Sequence, residues 1–590
     1  MTSAESSPAR SRVGEIAFGL FLFALAFAYV FATKHVWEDY FITFRHSKNF
    51  AEGRGLVYHE GERIHGFTSP VGVLLPALFH VIAGKPESYV PALLMFQFVG
   101  ALAFAGAGIL LLHLLRTAIP GEPLLPWTGA ILFAFEFKSV AFSMNGQETG
   151  LMLFFLALTL RALQLGADLH WKALGLAWTG LQWTRPDGCV FVVATALATL
   201  VFSGGRSRAS ILVACLKAGV LSLILYAPWL IATTIYYGTP IPHTVTAKAG
   251  TVPMVRTLFG PFPFGLVDRI RDRAGAIFDP IYAVFGGWPE TLVRFARGVG
   301  LVGLVWWVIP IRGPFARFSR WTGFAAFLMV LYLTLILIFP WYLPPIALLM
   351  ILSLAAGAFS APRTFLIVVV AGWLFVEMWD KNYFARMDDG RLPFKPKEMW
   401  IFLAAVVSAL VLPMLLGAAR RTPRMAMLVV VAVAGMLGAV SVCSWREIAV
   451  QQEYVENRHR RVIGEWLRDN ARPGETIYLE SLGYIGYFSN GTMLDWPGLV
   501  APRVVAARQR AQGRLDMIRA VTALEPDWLV FRKGIELTQA KNDPFIMVNY
   551  DVVREFNDGE EIRREYPDLP GLGYLLNDAD HVVMRRKSLR

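Results

Sequence analysis

The chain has 590 residues, of which 55% are hydrophobic and only 17% charged, against about 25% charged in an ordinary soluble domain. Apolar runs long enough to cross a bilayer, about 17–25 residues, recur along the chain, which excludes a simple soluble enzyme and points to a polytopic membrane protein. The formal charge of +12 invites a nucleic-acid reading, which the placement of that charge excludes.

The N-terminus is polar, with Arg10 and Arg12, and then apolar from Ile16 to Thr33. No small-residue cleavage site follows, so this reads as an uncleaved first span. Candidate spans run over 14–33, 89–115, 126–142, 149–165, 171–184, 188–203, 218–236, 295–311, 321–339, 341–359, 364–379, 399–418 and 425–443, thirteen in all. The stretch 70–83 is short and holds Pro70, Pro76 and His80. If it does not cross, the cytoplasmic segments carry fifteen basic and four acidic residues, a net +11 of the +12. If it crosses, the basic loops from Arg116 onward face outward, against the positive-inside rule. Residues 68–84 are therefore expected to form an interfacial or re-entrant helix. The positive excess is an orientation signal, and nucleic acid is not a partner.

This topology puts the N-terminus in the cytoplasm and every polar, motif-like segment outside: 34–68, 143–149, 185–187, 237–292, 380–398 and the tail 445–590. Glu136 and Lys138, inside a span, read as a structural pair. Cys189, Cys215 and Cys443 lie in or beside apolar runs without CxxC spacing and read as small hydrophobes.

Composition changes after Val442. Residues 453–470 predict a charged amphipathic helix, and Thr476–Leu479, Asp527–Arg532 and His581–Met584 predict strands. Asn490-Gly491-Thr492 fits a glycosylation sequon but reads as a hairpin turn. The expected organisation is a transmembrane domain over 1–444, with 34–84 as its first outer loop, and an extracytoplasmic α/β domain over 445–590.

The richest chemistry follows the first span. On a helix, Glu38, Ile42, Arg45 and Asn49 form one stripe, and Asp39, Thr43 and His46 the next. Transfer from a sugar phosphate needs a carboxylate to take the acceptor's proton, or to hold a metal that does so, and cations for the departing phosphate. An interfacial helix laced with salt bridges is the plainer reading. Arg185 and Asp187 stand at a span boundary, where ionisable groups are paired or functional. His243 and Lys248 follow a span end, where they meet lipid phosphate. Trp341 and Tyr342 read equally as interface anchors and as sugar platforms.

The first outer loop resembles that of the GT-C superfamily of membrane glycosyltransferases, and in detail that of the mycobacterial terminal arabinofuranosyltransferases and their bacterial relatives. Asp39, Ile42, Arg45, Asn49, Gly53, Gly55, Gly61, Glu62, Gly66 and Pro70 stand at matching positions. Glu38 replaces an Asp, and His65 replaces an acid, which bears on donor or acceptor identity. Asn145–Thr149, Thr184–Gly188, Tyr236–Lys248 and Phe339–Tyr342 resemble further motifs of that group, in order.

The resemblance implies a GT-C-like all-α bundle of about thirteen transmembrane helices in a bacterial inner membrane, with a C-terminal extracytoplasmic α/β domain. It implies a polyprenyl-phosphate sugar donor and a glycan, lipid or cell-envelope acceptor among membrane lipids. Asp39 is the expected base or metal ligand, assisted by Glu38 and Glu148. Arg45, Lys48, Asn49, His65, Arg185, Asp187, His243, Lys248, Trp341 and Tyr342 are the expected substrate-binding residues. A divalent metal, if one takes part, falls to Asp39 and Glu148; no nucleotide site is evident. A polysaccharide polymerase or ligase of another fold, or a lipid-linked oligosaccharide flippase, is the alternative.

Overall fold

The computed structural model describes residues 8–120, 125–249, 264–312, 315–336, 338–380, 423–512 and 515–587. The protein is mostly helical up to residue 470, followed by a small mixed α/β domain. Each sequence-predicted span within the described residues falls mainly on helix; the span 399–418 and the loop 380–398, apart from Asp380, lie outside them. Five helices are long and apolar enough by themselves to cross a membrane: Val13–Thr33, Val90–Ala118, Arg208–Tyr237, Glu290–Val308 and Pro340–Ser360. The expected count of about thirteen is therefore not reached by this measure among the described residues.

The difference has local causes. The expected span 126–142 is broken into Leu125–Ala134 and Phe137–Met144. Glu136 makes the break by accepting from Ser139 N at 2.7 Å and capping the second piece. Phe137–Met144 then meets Thr149–Leu165 at a bend of 120°. Glu136 and Lys138 are not a pair, because Lys138 turns away to the carbonyls of Ala276 (2.7 Å) and Ile277 (2.9 Å) and to Asp279 (3.5 Å). The three cysteines are free.

Four helices frame the loop that the sequence predicts to be the first outer one: α1 (Pro8–Thr33), α2 (Glu38–Ala51), α3 (Pro70–Ile82) and α4 (Val90–Ala118). α2 begins after an extended Trp37 with Glu38 and Asp39 in its first turn and Lys48 in its last, the arrangement that the helix dipole favours. α3 starts at Pro70 behind Ser69, whose hydroxyl accepts from Gly72 N at 2.8 Å. At 13 residues it spans about 20 Å, short of a hydrocarbon core of about 30 Å.

The helix Pro423–Val450 continues without a break through a π-helical stretch, Gln451–Arg460, into Arg461–Asn470. The C-terminal α/β domain, labelled the outer domain after its expected side, thus follows directly on this helix. Its five-stranded sheet comprises β1 (Thr476–Leu479), β2 (Thr492–Asp495), β3 (Trp528–Arg532), β4 (Tyr550–Asn557) and β5 (Asp580–Arg586), in the order β2-β1-β3-β5-β4. β1 pairs parallel with β2 and β3, and β5 pairs antiparallel with β3 and β4. Asn490 therefore does not turn a hairpin. It sits in the left-handed region at the end of helix Leu482–Ser489, which carries the chain from β1 over to the parallel β2.

Alternation along the strands divides the core. Tyr478, Leu494, Leu529 and Phe531 face one side. Ile477, Leu479, Met493 and Val530 face the other, where Ile42 of α2 and Tyr58 of the first loop join them. The first loop is thus part of the outer domain's core.

A buried ion cluster fastens this junction. Arg460 Nη1 lies 3.1 Å from Glu38 and 3.0 Å from Glu456, and its Nη2 lies 3.0 Å from Asp578. Asp578 also holds Arg532. Burial alone would raise the Asp578 carboxyl, but Arg460 and Arg532 hold it well below the usual carboxylate range. Burial pushes Glu38 up to about 8 from 4.5, and Arg460, the cation that opposes this, is shared with two other acids. A carboxyl whose folded pKa is raised contributes stability that is complete below the unfolded value and is lost as pH rises through the folded one. Thermal stability should therefore fall as pH rises between 4.5 and about 8. Glu38→Gln should remove this part of the slope, at most about 1.4 kcal/mol per pH unit, as read from melting temperatures of the detergent-solubilised protein.

Candidate active site

Backbone contacts place the start of α2 against the bend between Phe137–Met144 and Thr149–Leu165. Trp37 N donates to Asn145 O at 2.8 Å. Gly146 has φ +92, and a Cβ there would come within 2.6 Å of the Tyr40 ring; only glycine allows both the turn and this approach. α4 closes in behind, since a Cβ on Gly100 would lie 2.5 Å from Ser143 O. Glu148, the residue before Thr149–Leu165, is thereby held beside the turn that carries Asp39.

Arg185 joins two acids. Its Nη1 lies 3.2 Å from Glu148 Oε1 and its Nε donates to Asp187 Oδ1 at 3.0 Å. Its guanidinium stands 4.7 Å over the Tyr342 ring. Arg185, Asp187, Trp341 and Tyr342 line one small cavity of about 10 Å³. Trp341 stacks on Phe339 at 4.6 Å and 7° and meets the edge of Trp37 at 5.7 Å. The Lys248 ammonium sits 4.8 Å over Phe339. An aromatic wall of Trp37, Trp341, Phe339 and Tyr342 thus has Arg185 at one end and Lys248 at the other.

Asp39 lies half-buried beside this wall, and among the described residues its carboxylate makes no hydrogen bond or ion pair. Burial raises its pKa; Lys248 and Arg185 pull it back, and Glu480 pushes it up again. Lys248 is lowered by burial, an effect that Asp39 opposes. Asp39 is therefore a carboxylate of increased basicity that faces two cations without being bound by either.

The other expected residues lie elsewhere. Glu38 is tied to Arg460 and accepts from Gly483 N at 3.1 Å. Arg45 donates to Gly486 O at 2.8 Å and stacks over Tyr58 at 4.3 Å. Asn49 donates to the carbonyls of Val57 (2.8 Å) and Tyr58 (3.1 Å), closing the first loop on itself. Lys48, with Arg45 and Asn49, lines a separate groove of about 990 Å³. His65 stacks on Tyr237 at 4.8 Å and 6°, and its carbonyl accepts from His243 N at 2.9 Å. Burial takes His65 down to about 4, so it is a neutral ring in an aromatic nest, and His243 is likewise lowered by burial.

Two contributors escaped the sequence reading. Trp37 extends the aromatic wall that Phe339 of the Phe339–Tyr342 motif begins, and the charge of Glu480 acts on Asp39. Glu480 follows β1, where Arg532 Nη2 donates to it at 2.5 Å. β1 and β3 flank the point where the order of the parallel strands reverses, and ligands of open α/β sheets gather at strand ends there; the predicted strand at Thr476–Leu479 gave the element but not the strand order. Among the described residues no three His, Cys, Asp or Glu side chains are grouped so as to hold a metal ion, and Asp39 with Glu148 supplies only two donors.

Residues 446–575 match a family described as a domain of unknown function (DUF8728). No curated protein matches the chain. Among solved structures, the chain is similar to ArnT from Cupriavidus metallidurans bound to undecaprenyl phosphate, with 15% identity over 98% of each chain and a TM-score of 0.46. It is also similar to the archaeal oligosaccharyltransferase AglB from Archaeoglobus fulgidus in complex with an inhibitory peptide and a dolichol-phosphate. There the identity is 11% over 93% of this chain and 73% of that one, with a TM-score of 0.48.

The turn that presents Glu148 depends on Gly146. Gly146→Ala should lower thermal stability by about 1–3 kcal/mol, measured by unfolding of the solubilised protein, whereas Gly53→Ala, also at positive φ but with open space around it, should lose less.

Proposed function

We propose that the protein is a GT-C-type membrane glycosyltransferase that moves a sugar from a polyprenyl-phosphate donor to a glycan, lipid or cell-envelope acceptor on the outer face of a bacterial inner membrane. The observation that carries this reading is the convergence of Asp39, a desolvated carboxylate that no described residue bonds, with Arg185 and Lys248 beside an aromatic wall. In the reaction an acceptor hydroxyl loses its proton to Asp39 and its oxygen bonds to the anomeric carbon. The bond from that carbon to the phosphate oxygen breaks, and the released polyprenyl phosphate takes the electron pair as negative charge. Arg185 and Lys248 meet that charge. Glu148 and Asp187 fix the Arg185 guanidinium, so its orientation is set before substrate arrives. Trp341 and Tyr342 offer ring faces to the sugar.

The residue assignment narrows the sequence-based expectation. Glu38 and Arg45 serve the docking of the outer domain, and Asp39 alone takes the proton. Every step described runs through Asp39 and the cations. Asp39, Glu148, Arg185 and Asp187, from three separate sequence motifs, gather at one place, which suits a single chemical step more than a path through the membrane.

Asp39→Asn should lower transfer by about 10²–10⁴-fold while expression and melting temperature stay unchanged; near-normal transfer would rule the mechanism out. Because burial raises Asp39, activity should fall on the acid side at a pH above the ordinary carboxylate range. Lys248→Met, which removes a charge that lowers Asp39, should move that limb to higher pH.

A further inference from the structure

The groove of about 990 Å³ has no part in the transfer site. It begins at Arg45, six residues and about 9 Å along α2 from Asp39. Its walls are the second half of α2, the segment Lys85–Val90 that leads into α4, and the outer-domain helices Arg461–Asn470 and Leu482–Ser489. One wall is aromatic: Tyr89 meets Tyr487 edge-on at 6.2 Å, and Tyr487 meets Phe488 edge-on at 5.1 Å. Ring faces with polar groups around them suit a saccharide, whose C–H faces pack on rings while its hydroxyls bond at the rim.

The charges in the groove are unequally matched. Arg45 is spent on Gly486 O and Tyr58, and Arg461 pairs with Glu465 at 2.8 Å. Lys48 has only the Tyr487 ring at 5.9 Å, and among the described residues neither Lys48 nor Lys85 forms a side-chain hydrogen bond or ion pair. Glu60 and Glu87 in the lining are likewise without such partners, but the whole lining sets six cations (Arg45, Lys48, Arg54, Lys85, Arg461 and Arg468) against four acids (Glu52, Glu60, Glu87 and Glu465), an excess that favours a ligand with negative charge.

The groove also reaches the head of a span-length helix. Val90, which lines it, is the first residue of α4, a span-length apolar helix. Val90, Leu94, Phe98 and Leu102 recur every fourth residue and are all exposed, so an apolar stripe descends from the groove mouth along one face.

We propose that this groove is a second lipid site, which holds the anionic sugar headgroup of a membrane-anchored glycolipid while its acyl chains lie along the Val90–Leu102 stripe. Binding there is independent of the transfer reaction; only the assignment of the bound lipid as acceptor rests on the function proposed above.

The test is native mass spectrometry of the full-length protein released from nanodiscs of phosphatidylcholine doped with glucuronosyl diacylglycerol, which joins a sugar, a negative charge and an anchor. The protein should retain this lipid, and Lys48→Ala/Lys85→Ala should bind it about tenfold more weakly, while Asp39→Asn binds it normally. Phosphatidylglycerol (charge without sugar), diglucosyl diacylglycerol (sugar without charge) and free glucuronate (no anchor) should each bind at least tenfold less well. Equal retention by the lysine variant, or equal binding of any of the three controls, overturns the proposal. Retention of the glycolipid by a protein that shows no transfer with any donor would sink the proposed reaction and leave this site standing.

Discussion

A single buried guanidinium, that of Arg460, is shared among carboxylates from three parts of the chain: Glu38 at the start of α2, Glu456 one turn back on its own helix, and Asp578 near the end of the outer domain. Buried charges of this kind stabilise only when every member is satisfied, and removing one leaves the rest stranded. The π-helical stretch Gln451–Arg460 sets the angle at which Arg460 enters the cluster. Because the residue after Glu38 is Asp39, the same cluster that docks the outer domain fixes the position of the carboxylate on which the proposed chemistry depends. Outer domain, first loop and candidate site are therefore one mechanical unit.

That coupling explains a division of labour along α2. Residues on the Glu38 stripe face the outer domain, where Glu38, Arg45 and Asn49 are used up by Arg460, Gly486 O and loop carbonyls. Asp39, one position on and about 100° around the helix, faces the aromatic wall and the cations. A one-residue step separates a structural acid from a chemical one, and both acquire raised pKa values by burial, for different ends.

The sequence made the helices, the strands Thr476–Leu479 and Asp527–Arg532, and the acids of the first loop legible, because apolar runs, β-branched runs and adjacent carboxylates are local signals. Whether a helix is one span or two was not legible. The break at Glu136 depends on a side chain choosing to cap a backbone three residues on, and Lys138 finds its partners about 140 residues away. The roles of Glu38 and Arg45 were hidden for the same reason, since their partners Arg460 and Gly486 are more than 400 residues distant. Asn490 was misread because an Asn-Gly pair serves a helix-to-strand turn as well as a hairpin, and only the parallel pairing of β1 with β2 tells them apart.

The central claim is that Asp39, Arg185 and Lys248 form a site for a sugar carried on a lipid phosphate. Purified full-length protein incubated with a panel of radiolabelled polyprenyl-phosphate pentoses and hexoses tests it most directly. The account predicts that at least one donor loses its sugar, to an acceptor or to water, with release of polyprenyl phosphate. Donors that all remain intact, in the presence of membrane lipids and cell-envelope glycans as acceptors, would contradict it.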